Sequence, residues 1–383
     1  MTKTIGIVTG TRAEYGLLSR TIDLLQNDDR FLTHVFVCGA HLSPEFGYTI
    51  SELEDNGVEN IVQVEMLMSS SSRVGVAKSL GIATMSFADA FSIKNLDGLI
   101  VLGDRYEILA AAQTAMLLDI PLIHIHGGEV TEGAFDDSIR HSITKMANIH
   151  FPVAAEFGKR IQQLGESSNS IFVVGSPGVD NIINYPKMSK QELEDSLGFK
   201  LNKPLALVTY HPVTKAMNFT ENDITPLVEA IKSNPNYMYV ITYPNADGGG
   251  NDIIEQWNTI AHLDNIKIVP SLGFRRYLSI MELVDCVIGN SSSGIIEAPS
   301  FSVLTINIGT RQHGRPRAKS VIDVSMSCKE ISQQLEDACQ LDLQNIQSPY
   351  GKGGTAEAIV KILSTIDLAS FSVKKFMDAN INE

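Results

Sequence analysis

Cysteine is scarce in this chain: Cys38, Cys286, Cys328 and Cys339 are the only four, they are widely spaced, and two of them stand in apolar runs. That excludes a disulfide framework and a cysteine zinc site, and reads as reduced packing residues. No run of about 18 apolar residues occurs, and no basic segment followed by an apolar one opens the chain, so a transmembrane helix and a secretory leader are not expected. Basic residues are outnumbered: 30 Lys and Arg face 44 Asp and Glu, a formal net charge of -14. A nucleic-acid or anionic-membrane surface is therefore not expected, and the reading is a cytoplasmic protein. The dinucleotide fingerprint GxGxxG, the P-loop and HExxH are also missing, which weakens nicotinamide, flavin and zinc-protease readings.

What is present is an alternation. Short apolar runs ending in glycine, TIGIVTG, THVFVCG, DGLIVLG and IPLIHIHGG, alternate with helically spaced segments such as RAEYGLLSRTIDLLQ and YEILAAAQTAMLLD. The pattern predicts α/β architecture with parallel sheets covered on both faces. A second series, KPLALVTYHP, YMYVITYPN, NIKIVPS, DCVIGNSSSG and VLTINIG, follows a polar stretch, YPKMSKQELEDSLGFKLNK, that reads as a connector. With 383 residues, 44% of them hydrophobic, the chain can fill two cores. The expectation is two doubly wound, Rossmann-like domains, 1–185 and 186–383, with the last helix packing back on the first and a cleft between them for the site. Ligands of such sheets bind beyond the carboxyl ends of strands, where every motif below falls.

Three serines, Ser291, Ser292 and Ser293, precede Gly294 at a strand-to-helix turn. N-capping needs one serine; three, with backbone N–H groups, can cradle a phosphate. Glu297, one helical turn beyond Ser293, can reach sugar hydroxyls or simply face solvent. His211, with Thr209 and Thr214 near it, ends another strand and is either an anion contact or a core histidine. Arg12 in the first strand-to-helix turn can bridge two anionic oxygens or pair with Glu14. Arg275, Arg276, Arg311, Arg315, Arg317 and Lys319 make a local basic cluster within the acidic whole, suited to an anionic small molecule.

The densest constellation runs from VLGDRYE to IHIHGGEVTEGAFDDSIRHSITK. It supplies Asp104, Arg105, His124, His126, Glu129, Asp136, Asp137, Arg140 and His141. His124 and His126, two apart, are expected on one side of a strand, and Arg140 is one turn from Asp136 and Asp137, so some of these charges can be ion-paired scaffolding. Histidines with carboxylates can bind a divalent metal, but the spacing matches no specific signature. Acid/base work is the better fit. Carboxylates crowded at one site divide into a protonated and an ionised member, which is what an elimination needs.

Taken together, GTRAEYG, HLSPEFG, GDRYE, HIHGGE, FDDSIRH, TYHPVT, GNSSSGIIEAP and GTRQHGR resemble, in order from residue 10 to residue 315, the hydrolysing UDP-N-acetylglucosamine 2-epimerases of the sialic-acid pathways. The resemblance implies the glycosyltransferase-B fold, a homodimer or homotetramer, no cofactor and no metal, and an anti elimination of UDP from C1 and C2 of a nucleotide sugar. Water then adds to the 2-acetamidoglycal. Asp104 and Asp137 match the family's acidic positions, with Asp136 beside them. Arg12, His211, Ser291, Ser292 and Arg315 match positions around the diphosphate, and Glu297 the ribose contact. Arg105, Ser293, Gly294 and Arg311 join the substrate-binding set. Where other members have HIEGGE this chain has HIHGGE, so His126 or Glu129 is the acid/base at that step. This form resembles the branch acting on UDP-N,N'-diacetylbacillosamine toward legionaminic acid, the more apolar sugar being met by HLSPEFG and VEMLMSSSSRVGVAKS. The alternatives are UDP-N-acetylglucosamine as substrate, a glycosyltransferase of the same fold, and a nucleotide-sugar binding protein without turnover.

Overall fold

Along Lys3–Thr9, alternate side chains leave on opposite sides: Ile5 and Ile7 join one core, Val8 another. Both sides are apolar because the sheet is buried on both faces, as an all-parallel sheet must be. A computed structural model describes residues 2–44, 48–68, 73–130, 135–212, 223–244, 250–338, 343 and 346–378. It divides into two compact units, 1–181 with 353–383, and 182–352. The sequence reading puts the division at 185/186, with the last helix of 186–383 packing back on the first domain. In the structure residues from Gly353 onward belong to the first unit.

Unit 1 is built on β1 (Lys3–Thr9), β2 (Phe31–Cys38), β3 (Ile61–Val64), β4 (Gly98–Leu102), β5 (Leu122–Ile125) and β6 (Ile149–Phe151), ordered β3-β2-β1-β4-β5-β6. Every pairing is parallel. One face packs Leu18 and Ile22 of the helix Arg12–Gln26 and Ile359 and Leu363 of the helix Thr355–Thr365. The other packs Phe87 and Phe91 of the helix Arg73–Ser92, the alanines Ala110 to Ala112 of Tyr106–Leu117, and Ile143 of Phe135–Met146. Small alanines let that central helix lie close to the strands. Lys3 Nζ ties the start of β1 to the carbonyls of Leu363 and Ile366, each at 2.6 Å.

Unit 2 repeats the plan with β7 (Leu205–Thr209), β8 (Met238–Thr242), β9 (Ile266–Val269), β10 (Cys286–Gly289), β11 (Leu304–Ile308) and β12 (Val321–Val324), ordered β12-β11-β10-β7-β8-β9, again all parallel. Counted from its own first strand this is the same order as in unit 1. Ala206, Val208, Ile241, Ile288 and Ile306 face one core, and Leu205, Leu207, Val240 and Val287 the other. Each unit therefore has one switch point, between β1 and β4 and between β7 and β10, where the order of strands reverses and ligands of open α/β sheets bind.

One segment departs from its reading. The supposed connector holds a helix, Lys190–Leu197, closed at its start by a reciprocal capping box of Ser189 and Glu192 and at its end by Gly198 in the left-handed conformation. The Ser-x-x-Glu signal lies in the quoted stretch, and polarity hid it because only Leu193, Glu194 and Leu197 of that helix are buried. Among the described residues no helix is long and apolar enough to cross a membrane.

Candidate functional site

At the switch point of unit 1, Gly103 takes a positive φ after β4 and Asp104 follows it. The Asp104 carboxylate is paired with Arg140 of the helix Phe135–Met146. Arg140 also reaches Asp137 Oδ1 at 3.4 Å and donates to the Glu129 carbonyl at 3.1 Å. Its side chain is 7% exposed, so one buried guanidinium gathers residues from three segments. The pairing foreseen with both Asp136 and Asp137 is realised with Asp137 and Asp104; Asp136 is half-buried beside them. Asp137 also lies 3.5 Å from His141 Nε2, whose pKa is lowered by burial.

After β5 the two histidines separate. The strand ends at Ile125, and His126 has φ +66, so the alternation that would put both on one side does not reach it. His124 is fully buried, with Nε2 2.8 Å from the Gly103 carbonyl and Nδ1 3.1 Å from Thr144 Oγ1. Burial lowers its pKa to about 3, so it stays neutral and serves the scaffold. His126 Nδ1 meets Glu129 Oε1 at 2.6 Å, while its Nε2 is buried without a hydrogen-bond partner among the described residues. A histidine whose one nitrogen is held by a carboxylate has its tautomer fixed and its other nitrogen available for proton transfer.

Arg12 opens its helix, 71% exposed, 4.0 Å from Glu52. The suggested Arg12–Glu14 pair is not formed: Glu14 turns inward, accepts from Gly10 N at 2.7 Å and lies 3.9 Å from Arg105.

At the switch point of unit 2, Asn290 joins the two strand ends. Its side chain accepts from His211 N at 2.7 Å and donates to His211 O at 2.8 Å, while its own carbonyl accepts from Arg311 at 3.1 Å and Gln312 at 2.9 Å. Gly289 before it has φ +136, and a Cβ there would stand 1.9 Å from the Thr209 carbonyl, so only glycine lets β10 turn here. Ser291 caps the helix Ser292–Ile296 through Ser293 N and shares a 3.0 Å hydrogen bond with Ser293 Oγ. Capping thus accounts for Ser291 and engages Ser293, while Ser292 is left half-buried at the helix start beside the buried Gly294. Glu297 is not a solvated glutamate. Burial raises its pKa to about 7, with the Tyr277 phenol acting in the opposite direction. Arg315 is half-buried, and its carbonyl accepts from Arg317, which is itself paired with Asp323 at 3.0 Å. The basic cluster is thereby reduced: Arg317 is neutralised, and Arg276 donates to the carbonyls of Leu272 and Ser271. Thr209 bonds Thr242 at 2.8 Å; Thr214 lies outside the described residues, as do 45–47 of HLSPEFG and 69–72 of the serine run.

The family model described as UDP-N-acetylglucosamine 2-epimerase matches residues 23–364. The chain belongs to that family. It is 40% identical over 322 residues, 83% of each chain, to a Campylobacter jejuni protein named GDP/UDP-N,N'-diacetylbacillosamine 2-epimerase (hydrolyzing). It is 32% identical over 375 residues, 98% of this chain and 99% of the other, to the UDP-N,N'-diacetylbacillosamine 2-epimerase (hydrolyzing) of Legionella pneumophila. A UDP-N-acetylglucosamine 2-epimerase of Neisseria meningitidis serogroup B is 29% identical over 99% of this chain and all of its own. Among solved structures, a Neisseria meningitidis UDP-GlcNAc 2-epimerase superimposes with a TM-score of 0.78 over 94% of this chain and 99% of its own, at 18% identity. In this family member Asp104, His126 and Glu129 follow strands of unit 1 and Asp137 lies in the first turn of the helix Phe135–Met146, while His211, Ser291 to Ser293 and Arg311 follow strands of unit 2 and Glu297 ends the helix Ser292–Ile296. Asn290, Tyr277 and the role of Arg140 as a bridge are features of the candidate site that sequence reasoning missed; only the Gly-Asn pair before the serines hinted at the first.

Proposed function

We propose that the chain is a hydrolysing 2-epimerase that converts UDP-N,N'-diacetylbacillosamine and water to UDP and 2,4-diacetamido-2,4,6-trideoxymannose. The observation that carries the chemistry is the pair of acid/base groupings in unit 1: Asp104 and Asp137 on Arg140, and His126 on Glu129. The names of the Campylobacter jejuni and Legionella pneumophila relatives support the sugar. In the first step a base of the first grouping removes the C2 proton while the C1–O bond to UDP breaks with its electron pair, giving the 2-acetamidoglycal. Water then adds its hydroxyl to C1 and a proton reaches C2 from the opposite face, with the His126–Glu129 pair as donor. Charge developing on the departing diphosphate is stabilised by Arg12, Arg311, Arg315, His211 and the serine turn. Glu297, held by burial near neutrality, is suited to hydrogen-bond ribose hydroxyls. A cytoplasmic location and a homodimer or homotetramer belong to the same proposal, and light scattering tests the assembly.

UDP-N-acetylglucosamine is the second reading, favoured by the Neisseria meningitidis relative. NMR in deuterated water decides between them. Release of UDP and a free 2-epimer carrying deuterium at C2 from the diacetamido sugar alone supports the first; turnover of only the glucosamine substrate replaces it, and new glycosidic bonds refute both. Asp104→Asn is expected to lower kcat by about a thousandfold with UDP affinity kept within about threefold. Unchanged kcat removes Asp104 from the chemistry.

A further inference from the structure

Two carboxylates that the reaction scheme leaves unused converge on Gly10 at the end of β1. The Gly10 N–H donates to Glu14 Oε2 at 2.7 Å, and a Cβ on Gly10 would meet Glu107 Cγ at 2.7 Å. Glu14 is 6% exposed and Glu107 1%. Glu14 Oε1 and Glu107 Oε2 are both buried without a hydrogen-bond partner among the described residues. The cation beside them is Arg105, whose Nε donates to Glu107 Oε1 at 2.5 Å and lies 3.9 Å from Glu14 Oε1. Arg105 is 47% exposed, and its two terminal nitrogens have no partner among the described residues. The guanidinium is thus gripped by its inner nitrogen, with its outer fork unused, next to Asp104 at the switch point of unit 1.

We propose that Glu14 and Glu107 are positioning residues, a buried carboxylate pair that fixes Arg105 as a fork for the diphosphate of the nucleotide sugar. The inference rests on the function proposed above for the identity of the anion. A planar fork held at Nε can still donate two parallel bonds to phosphate oxygens. Two buried carboxylates facing one guanidinium cannot both ionise cheaply, so the pair keeps a proton. Burial first, and then the Glu107 charge, raise the pKa of Glu14 to about 7. The other titratable groups packed here are the Cys38 thiol and the Tyr106 phenol, both pushed up by burial, and His41 on Thr9, lowered to about 4 by burial. None of these three changes charge between about pH 6 and about pH 8.5. Below the Glu14 pKa the triad of Glu14, Glu107 and Arg105 is neutral; above it a net negative charge stands behind the fork and repels the diphosphate. The sign is therefore weaker binding at higher pH.

The test is calorimetric binding of UDP-glucose, a diphosphate diester whose charge is constant over the range, at about pH 6 and about pH 8.5. The wild-type affinity is expected to fall about fivefold from the lower to the higher pH, the effect of one added charge roughly 8 Å away at an intermediate effective dielectric. Glu14→Gln and Glu107→Gln, each leaving a single carboxylate opposite Arg105, are expected to lose most of that dependence, leaving only the part contributed by Glu297 at the ribose, while unfolding as cooperatively as the wild type. Arg105→Ala is expected to bind more weakly at both values, with no more than that remainder. A wild-type affinity that is flat with pH, a dependence as large as the wild type's in both glutamine variants, or no binding of UDP-glucose at either pH overturns the proposal. Should either glutamine variant fail to fold, the wild-type profile and Arg105→Ala still decide it. Sugar turnover followed by NMR is a separate readout: the binding signature without turnover leaves this inference standing and removes the epimerase reading, and turnover without the signature does the reverse.

Discussion

Arg140→Ala removes the one guanidinium that joins Asp104, Asp137 and the Glu129 carbonyl. At the 3.4 Å separation from Asp137, an effective dielectric of about 20 gives a Coulomb attraction on the order of 5 kcal/mol. Most of that is cancelled by the cost of taking the charges out of water, but deletion of the cation cancels nothing. It leaves two aspartates, 23% and 28% exposed, without it. A loss of about 3 kcal/mol in unfolding free energy near neutral pH is expected. Turnover should fall by at least about a hundredfold, because a displacement of roughly 1 Å in a catalytic group costs that much. Arg140→Lys keeps the charge but cannot span three partners and should fall between the two. Urea unfolding followed by circular dichroism and UDP release measured by a coupled assay read both effects. A destabilisation under about 1 kcal/mol with turnover within about threefold of wild type would refute the view that Arg140 organises this site.

Gly289→Ala places a Cβ 1.9 Å from the Thr209 carbonyl at φ +136; a loss above about 3 kcal/mol with failure to bind UDP is expected, and a stable variant that binds normally contradicts the role given to this turn. Glu166 accepts from Lys145 at 2.7 Å, Lys374 at 2.9 Å and His150 at 3.3 Å. Burial acts to raise its pKa, but these three partners overcome it and hold the group at about 2. Its folded value is depressed, so its stabilisation is present above the unfolded value of about 4.5 and lost as pH falls toward 2. Glu166→Gln should therefore cost about 3 kcal/mol at pH 7 and little near pH 2, and equal urea midpoints at pH 7 would exclude the effect.

The strands were legible because burial on both faces turns each into an apolar run closed by glycine, as in TIGIVTG and DGLIVLG. The helix Lys190–Leu197 was not, because its buried residues are few and its capping signal is short. At the site, sequence proximity placed His126 and Glu129, three residues apart, in one constellation as alternative acid/base candidates, and the structure pairs them. It could not expose Asp104 with Arg140, 36 residues apart, or Glu14 with Glu107, since only the sheet order brings β1 and β4 together. The same-side reading of His124 and His126 failed at a single dihedral angle: a strand rule was extended one residue past the strand.

The first unit is threaded from both ends of the described chain. Its central strand begins at Lys3, which is anchored on carbonyls of Leu363 and Ile366, and Thr355 and Ala356 N–H groups close on Asp180 at 2.9 and 2.7 Å. The second unit is one uninterrupted stretch, 182–352. During synthesis, then, the usual order is inverted. The segment translated second can complete its core while the segment translated first waits at the ribosome, one face of its sheet only partly covered by the helix Arg12–Gln26, until the helix Thr355–Thr365 emerges to complete it.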